Sequence, residues 1–304
     1  MNKAGNILIL GGSGFIGQNL TQYFEKEGYG VTVFDLKAPE SPVPGAVCLT
    51  GDFFDDGNLD RITEGQDVII HALSTINPGN SNTAYMRGYS KDFVQTMKLF
   101  DKLAETDKKL IFLSSAGTIY GRYEEGRPFV ESDRLRPINH YGSVKCCIET
   151  AMRAFNVQQH THLMSARISN PYGPGQDYRK GVGFIDAVVK AVMHGTPVEI
   201  WGDGSVVRDY IYIEDVCRMM EGLMHYDGPL QTFNISTGTG TSQNEIIALF
   251  RELGFDVNVK YLESRTVDAK CNIVGNDKIT GVTGVHARPL REGVISYLRY
   301  LNMI

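Results

Sequence analysis

The sequence predicts an α/β fold in which a doubly wound parallel sheet is followed by a smaller C-terminal lobe that also mixes helices and strands. Two patterns predict it. In the first half, short apolar runs rich in β-branched residues alternate with amphipathic stretches of helical period, which is typical of parallel strands covered by helices on both faces. After Arg167 the elements become shorter, and glycine and proline become frequent.

The first domain, residues 1–168, contains the regular alternation. Each apolar run is too short for a helix, and each amphipathic stretch is too long for a strand. The predicted strands are Asn6–Leu10, Gly30–Asp35, Asp67–Ala72, Lys109–Ser114 and His162–Arg167, and the predicted helices are Phe15–Glu27, Met86–Thr106 and Tyr141–Phe155.

The second domain, residues 169–304, is predicted to form the smaller α/β lobe. Its first segment, Asn170–Gly175, is dense in residues that break helices and strands, so we expect no regular structure there. The chain is expected to return to the first domain near residues 209–234. Beyond the first segment we predict the helices Phe184–His194, Gln243–Leu253 and Leu290–Leu301 and the strands Pro197–Ile200 and Val257–Tyr261.

Composition excludes several classes of protein. The chain has 304 residues, a formal net charge of −5 and no lysine-rich run, which argues against a nucleic-acid binder. Five cysteines without CxxC spacing argue against a disulfide framework and against a metal site. The sequence has neither a signal peptide nor an apolar stretch long enough to span a membrane, so we expect a cytoplasmic protein.

A glycine-rich turn, Gly11-Gly12-Ser13-Gly14-Phe15-Ile16-Gly17, closes the first strand and opens the first helix. Glycine allows the tight turn, lets backbone N–H groups approach a pyrophosphate and lets the helix pack close to the sheet. Gly11, Gly14, Phe15, Ile16 and Gly17 are therefore candidate dinucleotide-binding residues.

Acidic residues at two strand ends complete the predicted cofactor site. Asp35, at the end of the next strand, would accept hydrogen bonds from both ribose hydroxyls and repel a 2′-phosphate, which favours NAD over NADP. Asp52 and Phe53 would place a carboxylate near the adenine, although a helix cap or a turn explains that aspartate equally well.

Tyr141 and Lys145 are four residues apart on a predicted helix and therefore share one face. A free tyrosine has a pKa of about 10, too high for a base at neutral pH. A nearby cation stabilises the phenolate, so we expect Lys145, with the oxidised nicotinamide as a second positive charge, to lower the pKa of Tyr141. Lys145 can also hold the nicotinamide ribose. The other interpretation is a packed tyrosine beside a solvated lysine.

A third hydroxyl is expected after the fourth strand, in Ser114-Ser115-Ala116-Gly117-Thr118-Ile119-Tyr120-Gly121. Ligands bind at the carboxyl ends of the strands in such sheets. A hydroxyl here could share the substrate proton with Tyr141, or it could simply end the strand.

These motifs resemble the nucleotide-sugar epimerase/dehydratase family of extended short-chain dehydrogenases/reductases. The resemblance covers nearly the whole chain and implies an NAD-binding Rossmann domain followed by a substrate lobe. It is carried by Gly11–Gly17, Asp35, Ser114–Gly121, Tyr141–Lys145, Asn170–Gly175, Arg208–Tyr212 and Arg265–Asp268.

The resemblance also implies a substrate site. Asn170 would contact a diphosphate, Arg208 and Arg265 would clamp it, and Asp268 would hold the nucleoside ribose. Arginine suits this role because its planar fork offers paired donors to phosphate. The other interpretation is that both arginines form surface ion pairs, with Asp209 and Asp268. A homodimer is common in this family and is expected here.

The implied activity is a UDP-hexose or UDP-N-acetylhexosamine 4-epimerase that oxidises C4 and reduces it from the other face. Asn272 is small enough to suggest that an N-acetyl group is tolerated. The chain departs from the family at Ala116, where a catalytic Ser or Thr is usual, which leaves Thr118 and Ser115 as candidates. It also has Asp92 where Asn is often found.

Other activities remain open at this stage. A 4,6-dehydratase usually carries an Asp-Glu pair, but this chain has Gly117 and Thr118 there, so the acid–base groups for loss of water are missing. A reductase or decarboxylase of the same family is a further alternative. A non-catalytic NAD-binding module is another, because fold alone does not fix function.

Overall fold

The structure is a computed structural model that describes residues 5–122, 126–177, 183–263 and 270–304. Its strands are β1 (Asn6–Leu10), β2 (Gly30–Asp35), β3 (Val47–Thr50), β4 (Val68–His71), β5 (Lys109–Ser115), β6 (His162–Ile168), β7 (Asn170–Tyr172), β8 (Val198–Trp201), β9 (Val207–Tyr212), β10 (Thr232–Ile235), β11 (Gly240–Ser242), β12 (Val259–Leu262) and β13 (Cys271–Asn272).

The helices alternate with these strands. They are α1 (Phe15–Lys26), α2 (Gly57–Thr63), α3 (Tyr85–Arg87), α4 (Val94–Lys102), α5 (Ala116–Ile119), α6 (His140–Gln158), α7 (Phe184–His194), α8 (Ile213–Met224), α9 (Gln243–Glu252), α10 (Asp277–Thr283) and α11 (Leu290–Tyr300). A π-helical segment, Gly88–Phe93, joins α3 to α4.

The main sheet has seven parallel strands in the order β10-β6-β5-β4-β1-β2-β3. From β1 the chain first builds β2 and β3 on one side and then crosses to β4, β5 and β6 on the other. A crevice forms at the carboxyl ends of β1 and β4, where the direction of winding reverses. The predicted doubly wound α/β class is confirmed.

Both faces of the sheet are buried. In β1, Ile7 and Ile9 pack with Phe24 of α1 and with α8 on one face, and Leu8 and Leu10 pack with α4 and α6 on the other. The side chains of Ile7–Leu10 are fully buried, and Asn6 at the start of the strand is exposed. Alternate residues of a strand point to opposite faces, so a strand segment covered on both sides must be apolar at consecutive positions, as residues 7–10 are.

Three local predictions differ from the structure. β3 was not predicted, because Val47 is exposed and the strand is short and lies at the sheet edge. The predicted helix over 86–106 is interrupted by the π-helical segment and ends at Lys102. The prediction that Asn170–Gly175 lacks regular structure was wrong for its first half: β7 pairs in parallel with β9, and its edge position accommodates Pro171, while residues 173–175 form a turn.

The C-terminal part forms smaller sheets around their own core. β9 pairs with β7, β11 and β13, and β8 pairs with β12. The helices α7, α9 and α11 cover an apolar cluster that includes Val188, Ile200, Phe250 and Tyr297. β10 belongs to the main sheet, and the boundary between two domains at residue 168 stays a prediction.

Candidate active site

The glycine-rich turn lies between β1 and α1, at the carboxyl edge of the sheet. Gly11 has a φ of +83°, and a Cβ atom there would lie 2.9 Å from the backbone nitrogen of Leu73. A Cβ atom on Gly17 would overlap the carbonyl oxygen of Gly11. The left-handed backbone at one position and the close approach at the other both require glycine.

A cleft of about 770 Å³ opens over the start of α1, where Ser13, Gly14 and Phe15 line it. Within the described residues, no side chain caps this helix end and no acidic residue lies in its first turn. The N–H groups and the partial positive charge of a helix N-terminus attract anions. The turn and the helix start therefore form a cradle that fits a pyrophosphate.

Two carboxylates follow the neighbouring strands β2 and β3. Asp35 Oδ2 accepts a hydrogen bond from the backbone N–H of Ser13 at 3.0 Å, which fixes the carboxylate beside the glycine turn. Asp52 is exposed and accepts from the backbone N–H of Phe54 at 2.9 Å, as in a simple turn. The ring of Phe53 is buried in the core, so only its backbone could face a ligand.

The first turn of α6 carries the tyrosine–lysine pair. Asn139 caps this helix by accepting from the backbone N–H of Gly142 at 2.8 Å. Lys145 is 4% exposed, and its Nζ donates to the carbonyl oxygen of Leu113 at 2.9 Å. The same Nζ lies 5.4 Å from the centre of the Tyr141 ring. The structure thus brings the phenol and the ammonium together at the end of β5.

The environment of the pair shifts both pKa values. Burial first, and the negative charge of Asp92 second, raise the pKa of Tyr141 to about 12. Burial lowers the pKa of Lys145 to about 8, although Asp92 and Glu149 oppose this shift. Burial has opposite effects on the two groups because it disfavours a phenolate and an ammonium alike.

In the chain alone the pKa of Tyr141 is thus raised, the opposite of the shift expected from Lys145 and an oxidised nicotinamide together. Burial outweighs the attraction between the two groups, because it raises the pKa of the phenol and lowers the pKa of the ammonium. The two groups are close enough to titrate as a coupled pair. Another positive charge nearby is needed to favour the state with phenolate and ammonium together.

The predicted third hydroxyl has two candidates at the carboxyl end of β5. Thr118 is 8% exposed and its Oγ1 lies 3.5 Å from the carbonyl oxygen of Ser115, which is a weak contact. A Cβ atom on Gly142 would lie 2.7 Å from the carbonyl oxygen of Thr118, so α5 packs directly on the first turn of α6. Ser115 directly precedes α5 and is partly exposed. Both stay candidates.

The substrate residues meet at a cavity of about 250 Å³ in the smaller lobe, lined by Asn170, Trp201, Arg208 and Tyr210 among others. Asn170 Nδ2 donates to the carbonyl oxygen of Asp209 at 2.8 Å, which holds β7 to β9. The parallel pairing of these strands places Asn170 and Arg208 on one cavity wall. This wall offers an amide and a guanidinium, a donor set that suits a diphosphate.

The alternative that Arg208 pairs with Asp209 does not fit the structure. Asp209 is fully buried, and its carboxylate accepts from the hydroxyl of Ser169 and from the backbone N–H groups of Thr237 and Gly238. Successive side chains of a strand point to opposite faces, so Arg208 and Asp209 diverge. The aspartate holds a loop, and the arginine faces the cavity.

Two further predicted substrate residues cannot be placed. Arg265 and Asp268 lie outside the described residues. Their roles at the diphosphate and the ribose stay predictions.

Sequence reasoning missed two residues that line the cavity. Trp201 is the single tryptophan of the chain and is 41% exposed at the end of β8. Asp186 is fully buried on α7, where its Oδ1 accepts from the hydroxyl of Tyr297 at 2.8 Å. The sequence shows that Trp201 is the single tryptophan but does not show that its side chain is exposed. In the same way, nothing in the sequence indicates that Asp186 is buried.

Comparisons with known proteins agree with this geometry. Residues 7–236 match the model of the NAD dependent epimerase/dehydratase family. The chain belongs to this family. It is 28% identical to the dTDP-4-dehydro-6-deoxyglucose reductase of Escherichia coli over 81% of this chain and 80% of the relative. It is also 28% identical to the UDP-glucose 4-epimerase of Halalkalibacterium halodurans, over 91% of this chain and 89% of that relative.

Solved structures show the same likeness. The crystal structure of the UDP-glucose 4-epimerase of Thermotoga maritima with UDP-glucose aligns with a TM-score of 0.91 and 28% identity, over 98% of both chains. Membership of the epimerase/dehydratase family makes NAD the cofactor and this protein an NAD-dependent enzyme. The cradle at Gly11 and Gly17 and the carboxylate of Asp35 fit that cofactor.

Within the described ranges no group of three His, Cys, Asp or Glu residues could hold a metal ion. In the same part of the chain no helix has both the length and the apolar character needed to cross a membrane.

Proposed function

We propose that this protein is an NAD-dependent 4-epimerase of a UDP-hexose or UDP-N-acetylhexosamine. The observation that carries the proposal is the position of Tyr141 and Lys145 at the carboxyl end of β5, two strands from the glycine turn at the same edge of the sheet, with α5 packed on their helix. The relatives named above include UDP-glucose 4-epimerases, which supports both the sugar nucleotide and the reaction.

The chain's own residues would handle the proton and the nucleotide. Tyr141 takes the proton from the C4 hydroxyl and, when the hydride returns to C4 from the opposite face, gives the proton back to the C4 oxygen. Lys145 holds the ribose of the cofactor and stabilises the phenolate. NAD, when bound, accepts the hydride from C4 and gives it back, so it is regenerated in each cycle.

The substrate lobe would hold the nucleotide and leave the sugar free to turn. Asn170 and Arg208 would bind the diphosphate from the cavity wall, together with Arg265, and Asp268 would hold the ribose. The 4-keto sugar must rotate about its link to the diphosphate before the hydride returns. This rotation requires firm contacts to the nucleotide and few contacts to the sugar.

Epimerisation is preferred to dehydration because of the residues on α5. Loss of water needs an acid for the C6 hydroxyl and a base for the C5 proton. Gly117 and Thr118 supply neither, and Ala116 between them and β5 is fully buried. The proposed reaction needs only the one proton-transfer group that Tyr141 provides.

Incubation with a panel of UDP-sugars, followed by NMR of the products, tests the proposal. We expect inversion at one carbon without loss of water or CO₂. Tyr141→Phe should lower turnover by about 10²–10⁴-fold, the usual contribution of a general base, while NAD remains bound. Undiminished turnover in that variant would refute the assignment of the base, and loss of water would indicate a dehydratase.

A reductase is the second candidate, because one relative with 28% identity is a dTDP-4-dehydro-6-deoxyglucose reductase. The two activities differ in their use of cofactor. An epimerase turns over many substrate molecules without net change in NADH, and a reductase consumes one NADH for each product. Absorbance of NADH during turnover separates them.

Tolerance of an N-acetyl group at C2 is a finer part of the proposal. Asn272 on β13 is paired with Arg208 of β9, and its Nδ2 lies 3.5 Å from the carbonyl oxygen of Ala116. Asn272 is buried between the diphosphate residue and the catalytic segment, and its small side chain at this place is the basis of the proposal. Comparable turnover of UDP-GlcNAc and UDP-Glc is expected, and strict rejection of the N-acetyl sugar would exclude it.

We also propose a cytoplasmic homodimer. The five cysteines are free thiols, as expected in a reducing compartment. Val94 of α4 and Val157 of α6 are 44% and 66% exposed, on two helices that pack against each other. A joint face of these helices is a candidate interface, and light scattering of the purified protein measures the mass directly.

A further inference from the structure

Asp92 is a buried carboxylate beside the catalytic pair, in the π-helical segment between α3 and α4. It is 5% exposed. Its Oδ2 accepts from the hydroxyl of Ser74 and the backbone N–H of Thr75, each at 2.9 Å, and its Oδ1 accepts from the hydroxyl of Thr75 at 2.7 Å. All three hydrogen-bond donors are uncharged, so none of these hydrogen bonds is an ion pair.

The π-helical segment explains how this carboxylate reaches the site. A Cβ atom on Gly88 would overlap Ile76 and would lie 3.0 Å from Val144 of α6. The segment is therefore wedged between the loop that follows β4 and the helix that carries Tyr141. π-Helical turns are rare and are frequently found at functional sites.

The loop that Asp92 holds is part of the cofactor crevice. Ser74 and Thr75 follow β4, and Leu73, directly before them, is the residue that a side chain at Gly11 would meet. The hydroxyl of Ser74 also lies 2.9 Å from the carbonyl oxygen of Ile76. The carboxylate thus ties the loop beside the glycine turn to the helical wall behind the catalytic pair.

Three titratable side chains from different elements act on or lie near Tyr141 and Lys145. Asp92 acts on both groups, since it is a cause of the raised pKa of Tyr141 and opposes the lowering of the pKa of Lys145. Glu149, one turn further along α6, also faces Lys145 but is paired with Arg167 at 2.6 Å. His71 of β4 is neutral, because burial and the charge of Lys145 lower its pKa to about 3.

We propose that Asp92 is a positioning residue that fixes the Ser74–Thr75 loop in the cofactor crevice and supplies the negative charge that balances Lys145. The inference rests on the proposed role of Tyr141 as the base. Its chemistry is specific to a carboxylate, because an asparagine at this position could keep hydrogen bonds to the loop and would carry no charge.

Asp92→Asn tests the charge. Ionisation of Tyr141 is followed by phenolate absorbance, as the difference between each protein and the same protein carrying Tyr141→Phe, in the chain alone and after loading with NAD. We expect the midpoint to fall by about one pH unit, the size of effect that a nearby like charge produces. The apparent pKa on the acid side of the pH–rate profile should decrease by a similar amount.

Thr75→Val is the matched control. It removes one hydrogen bond to Asp92 and keeps the charge and two donors. We expect weaker retention of NAD and an unchanged midpoint. If the midpoint of Tyr141 ionisation shifts equally in Thr75→Val and Asp92→Asn, the role of the charge is refuted. If Thr75→Val retains NAD as well as the parent protein does, the role of the loop is refuted.

The titration needs no substrate, so its result does not depend on the proposed reaction. An unmoved midpoint in Asp92→Asn overturns the inference even if the protein is an epimerase. If the midpoint shifts but the protein does not epimerise UDP-sugars, the proposed function is overturned and the inferred role of the Asp92 charge is retained. Thermal unfolding monitors the fold, and Asp92→Ser provides a second uncharged variant if the first is unstable.

Discussion

Lys145→Met removes the positive charge beside Tyr141 and keeps an unbranched side chain. The Nζ atom lies 5.4 Å from the centre of the phenol ring. At an effective dielectric constant of about 20, two unit charges at this distance interact by about 3 kcal/mol. That energy corresponds to about two pKa units. The state with phenolate and ammonium should therefore become less populated, and turnover should fall by about 10²-fold.

The assay must separate this effect from cofactor binding, because Lys145 is also predicted to hold the ribose of NAD. Turnover of UDP-glucose is followed by NMR at saturating NAD, and bound NAD is measured after denaturing the protein. Lys145→Arg keeps a cation and serves as the control, with a smaller loss expected.

A double-mutant cycle with Tyr141→Phe decides whether the lysine acts through the tyrosine. Once the phenol is absent, loss of Lys145 should have little further effect on turnover, because the two groups form one unit. An equal loss in both backgrounds would refute the reasoning. So would retention of turnover in Lys145→Met to within about threefold, which corresponds to less than 1 kcal/mol.

Four further outcomes follow from the contacts. Gly17→Ala should weaken NADH binding, measured by fluorescence titration, by at least tenfold because the added Cβ overlaps the glycine turn; unchanged affinity would contradict the cradle. Arg208→Met should raise the KM for UDP-glucose by about 10–100-fold with kcat nearly unchanged, as expected for a charged hydrogen bond of about 1.5–3 kcal/mol; a fall in kcat alone would argue against diphosphate binding. Glu149→Gln should lower the free energy of unfolding, measured in urea, by about 3–5 kcal/mol because it leaves the fully buried Arg167 unpaired; a neutral effect would mean that the pair is dispensable. Burial raises the pKa of Asp186 to about 7, so its contribution to stability is complete below the unfolded pKa of about 4 and is lost as the pH rises through about 7. Asp186→Asn should therefore narrow the difference in Tm between about pH 6 and pH 8, and an unchanged difference would count against this assignment.

The main fold could be predicted because its determinants are local. β1 is apolar at consecutive positions and ends in a glycine turn, and α1 has a clear helical period. The strand Val47–Thr50 was missed because it is a partly exposed edge strand with no continuous apolar run. The strand Asn170–Tyr172 was missed because its regular structure comes from pairing with β9, which lies far along the chain.

The same distinction applies to the site. The proximity of Tyr141 and Lys145 follows from helical spacing alone, and the structure bears it out in their geometry. Their pKa values depend on burial and on Asp92, which arrives from another helical segment. Sequence spacing contains no information about either, so the direction of the shift at Tyr141 could not be predicted.

The balance of charge gives a physical reason for a carboxylate at position 92. In the reactive state the site would contain the Tyr141 phenolate, the Lys145 ammonium and the positive charge of oxidised NAD, which sum to one positive charge. Asp92 makes the local sum zero. After transfer of proton and hydride the phenol and the reduced cofactor are both neutral, and Lys145 with Asp92 again sums to zero. A buried site that remains neutral in both states avoids the cost of an uncompensated charge, which is several kcal/mol in a protein interior. With asparagine at this position both states would carry one positive charge, so the carboxylate is compatible with catalysis even though it raises the pKa of the base.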